Sequence, residues 1–450
     1  IDPSHKDMRL SDPSKAKLNS ENVNVGKGRY YTEKVPYGYN FTDDNDDIVD
    51  TGNLHMHGMH VAGIVAANAT DEDVKNNNGI QGMAPEAQLL AMKVFTNNTN
   101  VLQNAYADDI VAAIEASVEL GADVINMSLG GDAGYRDSED PEQIAIKNAT
   151  DDGVICVVSA GNAATSVNPS IVEGVSDTGV VGAPGTTKDA LTVASSDNSI
   201  LNIPVIEAEI NGKRKDIQYT KNEVNPLEVI SPETNLELVD CGLGKESDFD
   251  GVDVKGKVAL VKRGELSFVD KKLNAQNAGA KAIIVYNNEA NADLMNMQTD
   301  ERIEIPAVFI SMEDGELLKS GPLNKVKVYF TGKTIDLPNP TSGAMSWFTS
   351  WGPTPDLQFA PQVTGVGGNI CSTLNNNKYG YMSGTSMAAP HVAGATALII
   401  QSLKDKGIDL KDRELVEFVK KNIINTSKTL FEETMVEQNV QYSTRRQGAG

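Results

Sequence analysis

The sequence predicts an α/β protein: a parallel sheet with helices on both faces, interrupted by a second, smaller α/β domain. Three observations carry this. From about residue 54 to 197, apolar runs of strand length alternate with helix-like patterns, as in consecutive βαβ units. The texture then turns polar and rich in Lys, Glu and Asn, with short alternating strands, until about Lys333. Beyond Thr341 the chain returns to Gly-rich loops and then to a long apolar helix beginning at Ser386.

Val124–Leu129 (VINMSL), Val154–Ser159 (VICVVS) and Leu191–Ser195 (LTVAS) are continuous β-rich runs bounded by Gly, Asp or Asn. Lacking alternation, they read as strands buried on both faces. Ala105–Gly121 and Asp140–Gly153 read as the helices between them. In the polar region, Gly256–Gly264 reads as strand then turn, Ser267–Ala278 as a helix, and Ala282–Tyr286 and Ile305–Ile310 as buried strands. Ser386 to about Lys404 and Arg413–Ile423 read as helices. The expected division is a core at 1–197, an insert at 198–339 and a return to the core at 340–450.

A chain of 450 residues with 40% hydrophobic side chains holds two or three domains and can build a large core. Its 62 acidic against 39 basic side chains give a net charge of −23, which repels a phosphate backbone and argues against nucleic-acid binding. Cys156, Cys241 and Cys371 are far apart and outside any C-x-x-C spacing, so neither a disulfide framework nor a structural zinc site is indicated. No stretch approaches the roughly 18 apolar residues of a membrane span, and the first residues carry no signal-peptide pattern. The chain therefore reads as an internal piece of a longer protein. Scarce cysteine and high acidity suit a secreted or cell-surface bacterial protein, although an acidic cytosolic enzyme has a similar composition.

Gly384-Thr385-Ser386-Met387-Ala388-Ala389-Pro390 places a serine where a Gly-rich loop gives way to an apolar helix. A helix N-terminus offers unpaired N–H groups and positive partial charge, which favour an oxyanion forming beside a nucleophile. The plainer alternative is a serine that only caps a buried helix. Ala388 stands where a G-x-S-x-G nucleophile elbow needs its last glycine, which argues against an α/β-hydrolase. His57, in HGMHVAGIVA, again stands where a loop enters a small-residue helix, the rigid placement a general base needs. The grouping of His55, His57 and His60 invites a zinc reading, but H-E-x-x-H and its i, i+4 pairing are absent. Asn162, in Ser159-Ala160-Gly161-Asn162, ends a buried strand and offers a side-chain N–H of the kind that stabilises a tetrahedral oxygen; alone, the pattern is a turn.

Taken in the order His, Asn, Ser, the strings HGMHVAGI, INMSLGG, SAGN and SGTSMAAPHVAG resemble the subtilisin-like serine proteases over nearly the whole chain. The resemblance implies a subtilisin-like fold in which Ser386 is the nucleophile, His57 the general base and acid, and Asn162 the oxyanion donor together with the backbone N–H of Ser386. It implies that Ser128, Leu129 and Gly130 pair with substrate backbone by β-addition and that Ala160 and Gly161 wall the pocket for the side chain before the scissile bond. Residues 261–288, VKRGELSFVDKKLNAQNAGAKAIIVYNN, resemble a protease-associated domain. With FTSWGPTPDL at 348–357 and RRQGAG at the end, the arrangement looks most like cell-envelope subtilases of the lactocepin and streptococcal complement-peptidase type.

The same resemblance exposes a departure. Subtilases order their triad Asp, His, Ser, with the aspartate in a D-[ST]-G motif on the first core strand. This sequence begins Ile1-Asp2-Pro3-Ser4-His5, similar to the residues just after that motif, so the catalytic aspartate is expected upstream of Ile1, and Asp2 is not assigned its role. The missing strand is expected to be a central one. A structural calcium ion is a further implication: Asp7 and the loop 76–82, with Asn76, match positions that hold calcium in many subtilases. Asp132, Asp137, Glu139 and Asp140 follow the expected substrate strand and suggest a mild preference for cationic or unfolded segments. The expected activity is serine endopeptidase cleavage of protein or peptide substrates through an acyl-enzyme. The rival is a non-catalytic binding or adhesion module that keeps the fold.

Overall fold

The computed structural model describes all residues except 24–25, 52–55, 77, 101–103, 133, 166–177, 222–223, 293, 321–325 and 433–439. The chain forms two compact units, Ile1–Ser199 with Asn339–Gly450, and Ile200–Pro338.

The first unit opens with strand β1 (Tyr37–Asn40), helix α1 (His57–Ala66), short helix α2 (Asp71–Lys75), β2 (Leu90–Lys93), α3 (Ala107–Glu119), β3 (Val124–Met127), α4 (Pro141–Asp151), β4 (Ile155–Ser159) and β5 (Leu191–Asp197). The second unit supplies β6 (Ile200–Ile210), β7 (Lys213–Gln218), β8 (Thr220–Lys221), α5 (Pro226–Val229), β9 (Leu236–Asp240), β10 (Val258–Lys262), α6 (Phe268–Asn277), β11 (Ala282–Tyr286), β12 (Ala307–Ile310), α7 (Met312–Lys319), β13 (Lys327–Tyr329) and β14 (Thr334–Pro338). The chain then completes the first unit with β15 (Val363–Gly368), β16 (Ile370–Leu374), β17 (Lys378–Met382), α8 (Thr385–Asp405), α9 (Asp412–Thr426) and α10 (Thr444–Gln447).

In the first unit β15, β5, β4 and β3 form a parallel sheet in that order. Period-2 alternation along β4 explains why its sequence runs continuously apolar. Ile155 and Val157 pack with α8 and α9 through Val392, Ile400 and Val416, whereas Cys156 and Val158 pack with Ile110, Ile114 and Ile146 on the opposite face. Burial pushes the Cys156 thiol up to about 12, as expected of an inert core cysteine.

β1 and β2 form a separate parallel pair. Among the described residues, β2 has no partner beyond β1 and β3 none beyond β4. Both line one cavity of about 1100 Å³, which α1, α3 and α8 also border through residues such as Val61, Ile114 and Ala397. Two parallel strands thus face an apolar space with their hydrogen-bonding edges unfilled. Strand edges without partners are costly in apolar surroundings, which marks the cavity as a slot between β2 and β3.

In the second unit β9, β10, β11 and β12 run parallel at the centre of a mixed sheet whose order is β14-β6-β13-β9-β10-β11-β12-β8, with β7 on β6. Leu260, Ile284 and Val308 face one core, and Val261, Ile283 and Phe309 the other. Lys271 and Lys272 on α6 are fully buried and donate to backbone carbonyls, Lys271 to Leu243 and Lys262, and Lys272 to Gln298 at 2.7 Å. No helix among the described residues is long and apolar enough to cross a membrane.

Candidate active site

Ser386 is the second residue of α8, half-buried. The helix continues through Pro390, which has no N–H for the carbonyl four residues earlier, so the Ser386 C=O would lose its intrahelical bond. The Ser128 hydroxyl satisfies it instead, donating to Ser386 O at 2.8 Å. In return Ser386 Oγ donates to Ser128 O at 3.4 Å, a long and weak bond. Asn126 Nδ2 donates to Ser128 Oγ at 3.0 Å, completing a chain from β3 to the start of α8.

The stretch read as strand 124–129 leaves the sheet after Met127. Ser128 and Leu129 are half-buried and Gly130 is exposed. Gly131 exchanges two backbone bonds with Ala183, each 2.9 Å. A Cβ at Gly130 would stand 2.6 Å from the Ala183 carbonyl, so glycine is required by this approach.

Ala160 is fully buried at the end of β4, Gly161 half-buried and Asn162 exposed. Thr385 meets this turn: its Oγ1 accepts from Gly161 N–H at 3.2 Å, while its N–H and Oγ1 donate to Asn162 Oδ1 at 2.9 and 3.0 Å. With Oδ1 so engaged, Nδ2 is the group left to serve an oxyanion. It lies over Gly384, 3.5 Å from where a Cβ on that glycine would stand. Thr385 escaped sequence reasoning, although its place directly before the serine was a usable signal.

His57 is the first residue of α1, entered from Met56 at φ +64, and α1 packs against α8. It lines the slot between β2 and β3 together with Asp50. Burial lowers the His57 pKa, and the Asp50 charge works in the opposite direction. Asp50 itself accepts from Met56 N–H at 2.9 Å and so fixes the turn into α1. Asp2 serves its own loop, accepting from Ser4 and from Asn376 N–H.

His55 lies outside the described residues, and among those described no group of three His, Cys, Asp or Glu could hold a metal. His60 is occupied elsewhere: its Nε2 meets Ile370 O at 3.0 Å and Gly380 O at 3.1 Å, and burial pushes its pKa down from 6.5 to about 4. Because the folded value lies below the unfolded one, protons bind the unfolded chain preferentially. Stability is expected to fall as pH drops from about 6.5 through 4, by on the order of 3 kcal/mol for this group. Thermal melts at pH 7.5 and 4.5 check this; His60→Gln should flatten the pH slope while lowering stability at pH 7.5.

Around Asp7 the structure describes most of the loop 76–82. Asp7 is buried; its Oδ2 accepts from Ile80 N–H at 3.2 Å and from the Tyr379 hydroxyl at 2.7 Å, and its Oδ1 is buried without a hydrogen-bond partner among the described residues. The Asn78 carbonyl lies beside it, 3.0 Å from the Tyr379 hydroxyl and 2.5 Å from Lys6 Nζ. Asn76 does not join them. It is exposed and is the C-cap of α2, where its backbone N–H bonds Glu72 O. Asn77 lies outside the described residues. Asp137 and Asp140 are used locally, Asp137 accepting from Glu139 N–H and Asp140 capping α4.

The chain matches the model of the Subtilase family over residues 1–450. It is 41% identical over 483 residues to a PII-type proteinase of Lacticaseibacillus paracasei, covering all of this chain and 25% of that protein. It is 34% identical over 463 residues to a C5a peptidase of Streptococcus pyogenes, covering 100% of this chain and 38% of the peptidase. A psychrophilic subtilisin-like protease from Pseudoalteromonas sp. AS-11 superposes with a TM-score of 0.43 at 20% identity, over 92% of this chain and 88% of that one. The chain thus spans about a quarter of the length of the proteinase it matches. With the match running from its first residue to its last, this chain belongs to the Subtilase family.

Proposed function

We propose that the protein is a serine endopeptidase of the bacterial cell surface or its surroundings, acting on protein or peptide substrates. The observation that carries this is the meeting of Ser386, Ser128 and Asn162 at the N-terminus of α8. In this reading substrate backbone lies along Ser128–Gly130, with one side chain between that edge and Ala160–Gly161. Ser386 Oγ attacks the scissile carbonyl carbon as His57 takes the hydroxyl proton. The carbonyl oxygen, now an anion, accepts from Asn162 Nδ2 and the Ser386 N–H. His57 returns the proton to the leaving amine, and water repeats the sequence to release the acid.

A strand filling the slot between β2 and β3 would bring a carboxylate to His57, holding the imidazole tautomer and stabilising imidazolium. The free edges of β2 and β3 and the position of His57 on the cavity wall support this. The unit 200–338, which has its own cores, is read from the resemblance of residues 261–288 as a protease-associated domain that influences substrate access. Calcium is read as structural. Asp7 Oδ1, without a hydrogen-bond partner among the described residues, and the Asn78 carbonyl fit it, and Lys6 competes for that carbonyl. Chelation is expected to lower the Tm by a few degrees; a Tm indifferent to calcium would leave Lys6 as the cation.

The test is hydrolysis of an unfolded protein substrate by the full-length protein and its Asn162→Ala form. The variant is expected to lose about 10²- to 10³-fold in kcat, equivalent to about 2.7–4 kcal/mol, with little change in KM. A folded full-length protein without hydrolysis would favour the binding-module reading.

A further inference from the structure

We infer that Ser350 is a positioning residue for the oxyanion donor, acting through Asn162; this rests on the peptidase reading above. An oxyanion donor is effective only if it is fixed before charge develops, because reorienting it during reaction consumes the gain. Asn162 is poorly placed for that by secondary structure alone. It is exposed and lies past the end of β4, beside a Gly161 with φ of +103.

Ser350 grips the turn on both sides of it. The Ser350 N–H donates to Gly161 O at 2.9 Å, and Ser350 Oγ accepts from Ala163 N–H at 3.0 Å. The peptide groups flanking Asn162 are therefore tied to one residue. The two segments also touch: a Cβ added at Gly161 would stand 2.8 Å from Ser350 Oγ. One residue further along, Ala164 N–H donates to Phe348 O at 2.8 Å and Trp351 N–H donates to Ala164 O at 3.2 Å. Residues 348–351 thus run as a brace along 161–164, while Thr385 fixes the Asn162 side chain from α8. Ser350 is fully buried, so it meets no substrate and its influence passes through Asn162.

Removing the hydroxyl leaves the Ala163 N–H without its acceptor and releases one flank of the turn. A donor displaced by a fraction of an ångström to an ångström costs about 10- to 100-fold in rate. The test is a double-mutant cycle on the full-length protein with Ser350→Ala, Asn162→Ala and the pair, reading kcat, KM and the Ki of a peptide boronic acid that forms a tetrahedral adduct. Ser350→Ala is expected to lower kcat and weaken the boronate by that same factor at unchanged KM. In the Asn162→Ala background it is expected to change kcat by less than about twofold, since the donor it positions is gone. Ser350→Cys, which keeps a weaker acceptor in place, is expected to fall between, and it carries the test if Ser350→Ala does not fold. Losses that multiply in the double variant, a KM that rises in step with a falling kcat, or an unchanged Ser350→Ala would overturn the inference. A wild-type protein that neither hydrolyses peptides nor binds the boronate would instead overturn the peptidase reading beneath it.

Discussion

Replacing Ser386 by alanine is expected to lower kcat of the full-length protein by about 10⁶-fold while leaving the fold intact. The size of the loss follows from covalent catalysis: without Oγ there is no acyl-enzyme, and the oxyanion donors and binding edge alone leave about 10³- to 10⁴-fold over water. The intact fold follows from the local bonding. Ser386 Oγ makes only a 3.4 Å contact to Ser128 O, whereas the stronger bond at this junction, Ser128 Oγ to Ser386 O, uses the backbone that alanine retains. Single-turnover hydrolysis together with a thermal melt checks both halves. A variant that loses activity only because it unfolds would show a lowered Tm.

The second large effect concerns the slot. In a form extended upstream through a D-[ST]-G strand, changing that aspartate to asparagine is expected to cost about 10⁴-fold in kcat at neutral pH, because the imidazole is then held in the wrong tautomer. His57 has burial lowering its pKa and Asp50 opposing that, with Asp50 already bonded to Met56 N–H. A carboxylate delivered between β2 and β3 would add to the stabilisation of imidazolium. The extension is also expected to protect the amides of β2 and β3 from hydrogen exchange, since it supplies the partner both edges lack among the described residues. Hydrogen exchange of the 450-residue chain and the extended form side by side measures this. Equal exchange in both would mean that the strand lies elsewhere.

The parallel strands were legible because double-faced burial writes itself as unbroken apolar runs: VICVVS is β4 and AIIVY is β11. Ser386 and His57 stood out because each lies in the first turn of a helix rich in small residues. The β6–β7 hairpin was missed despite its Asn211-Gly212 turn, at φ +52 and +75, because Lys213-Arg214-Lys215 reads as a solvated charge run rather than an exposed strand. The segment read as Gly-rich loop after Thr341 contains β15, whose glycines answer packing rather than flexibility. A Cβ at Gly365 would stand 2.6 Å from the Ala388 carbonyl of α8. Thr385 and Ser350 lie within recognisable strings, but their bonds reach a turn more than 180 residues away in the chain, which no local pattern reveals.

The most direct measurement is labelling with a serine-reactive fluorophosphonate, with the adduct mapped by mass spectrometry, on the 450-residue chain and on the form extended through the slot strand. Rapid modification at Ser386 in the extended form, and far slower modification in the shorter chain, is the result expected of a nucleophile that His57 activates once the slot is filled. A folded extended form in which Ser386 stays unlabelled would contradict the peptidase reading.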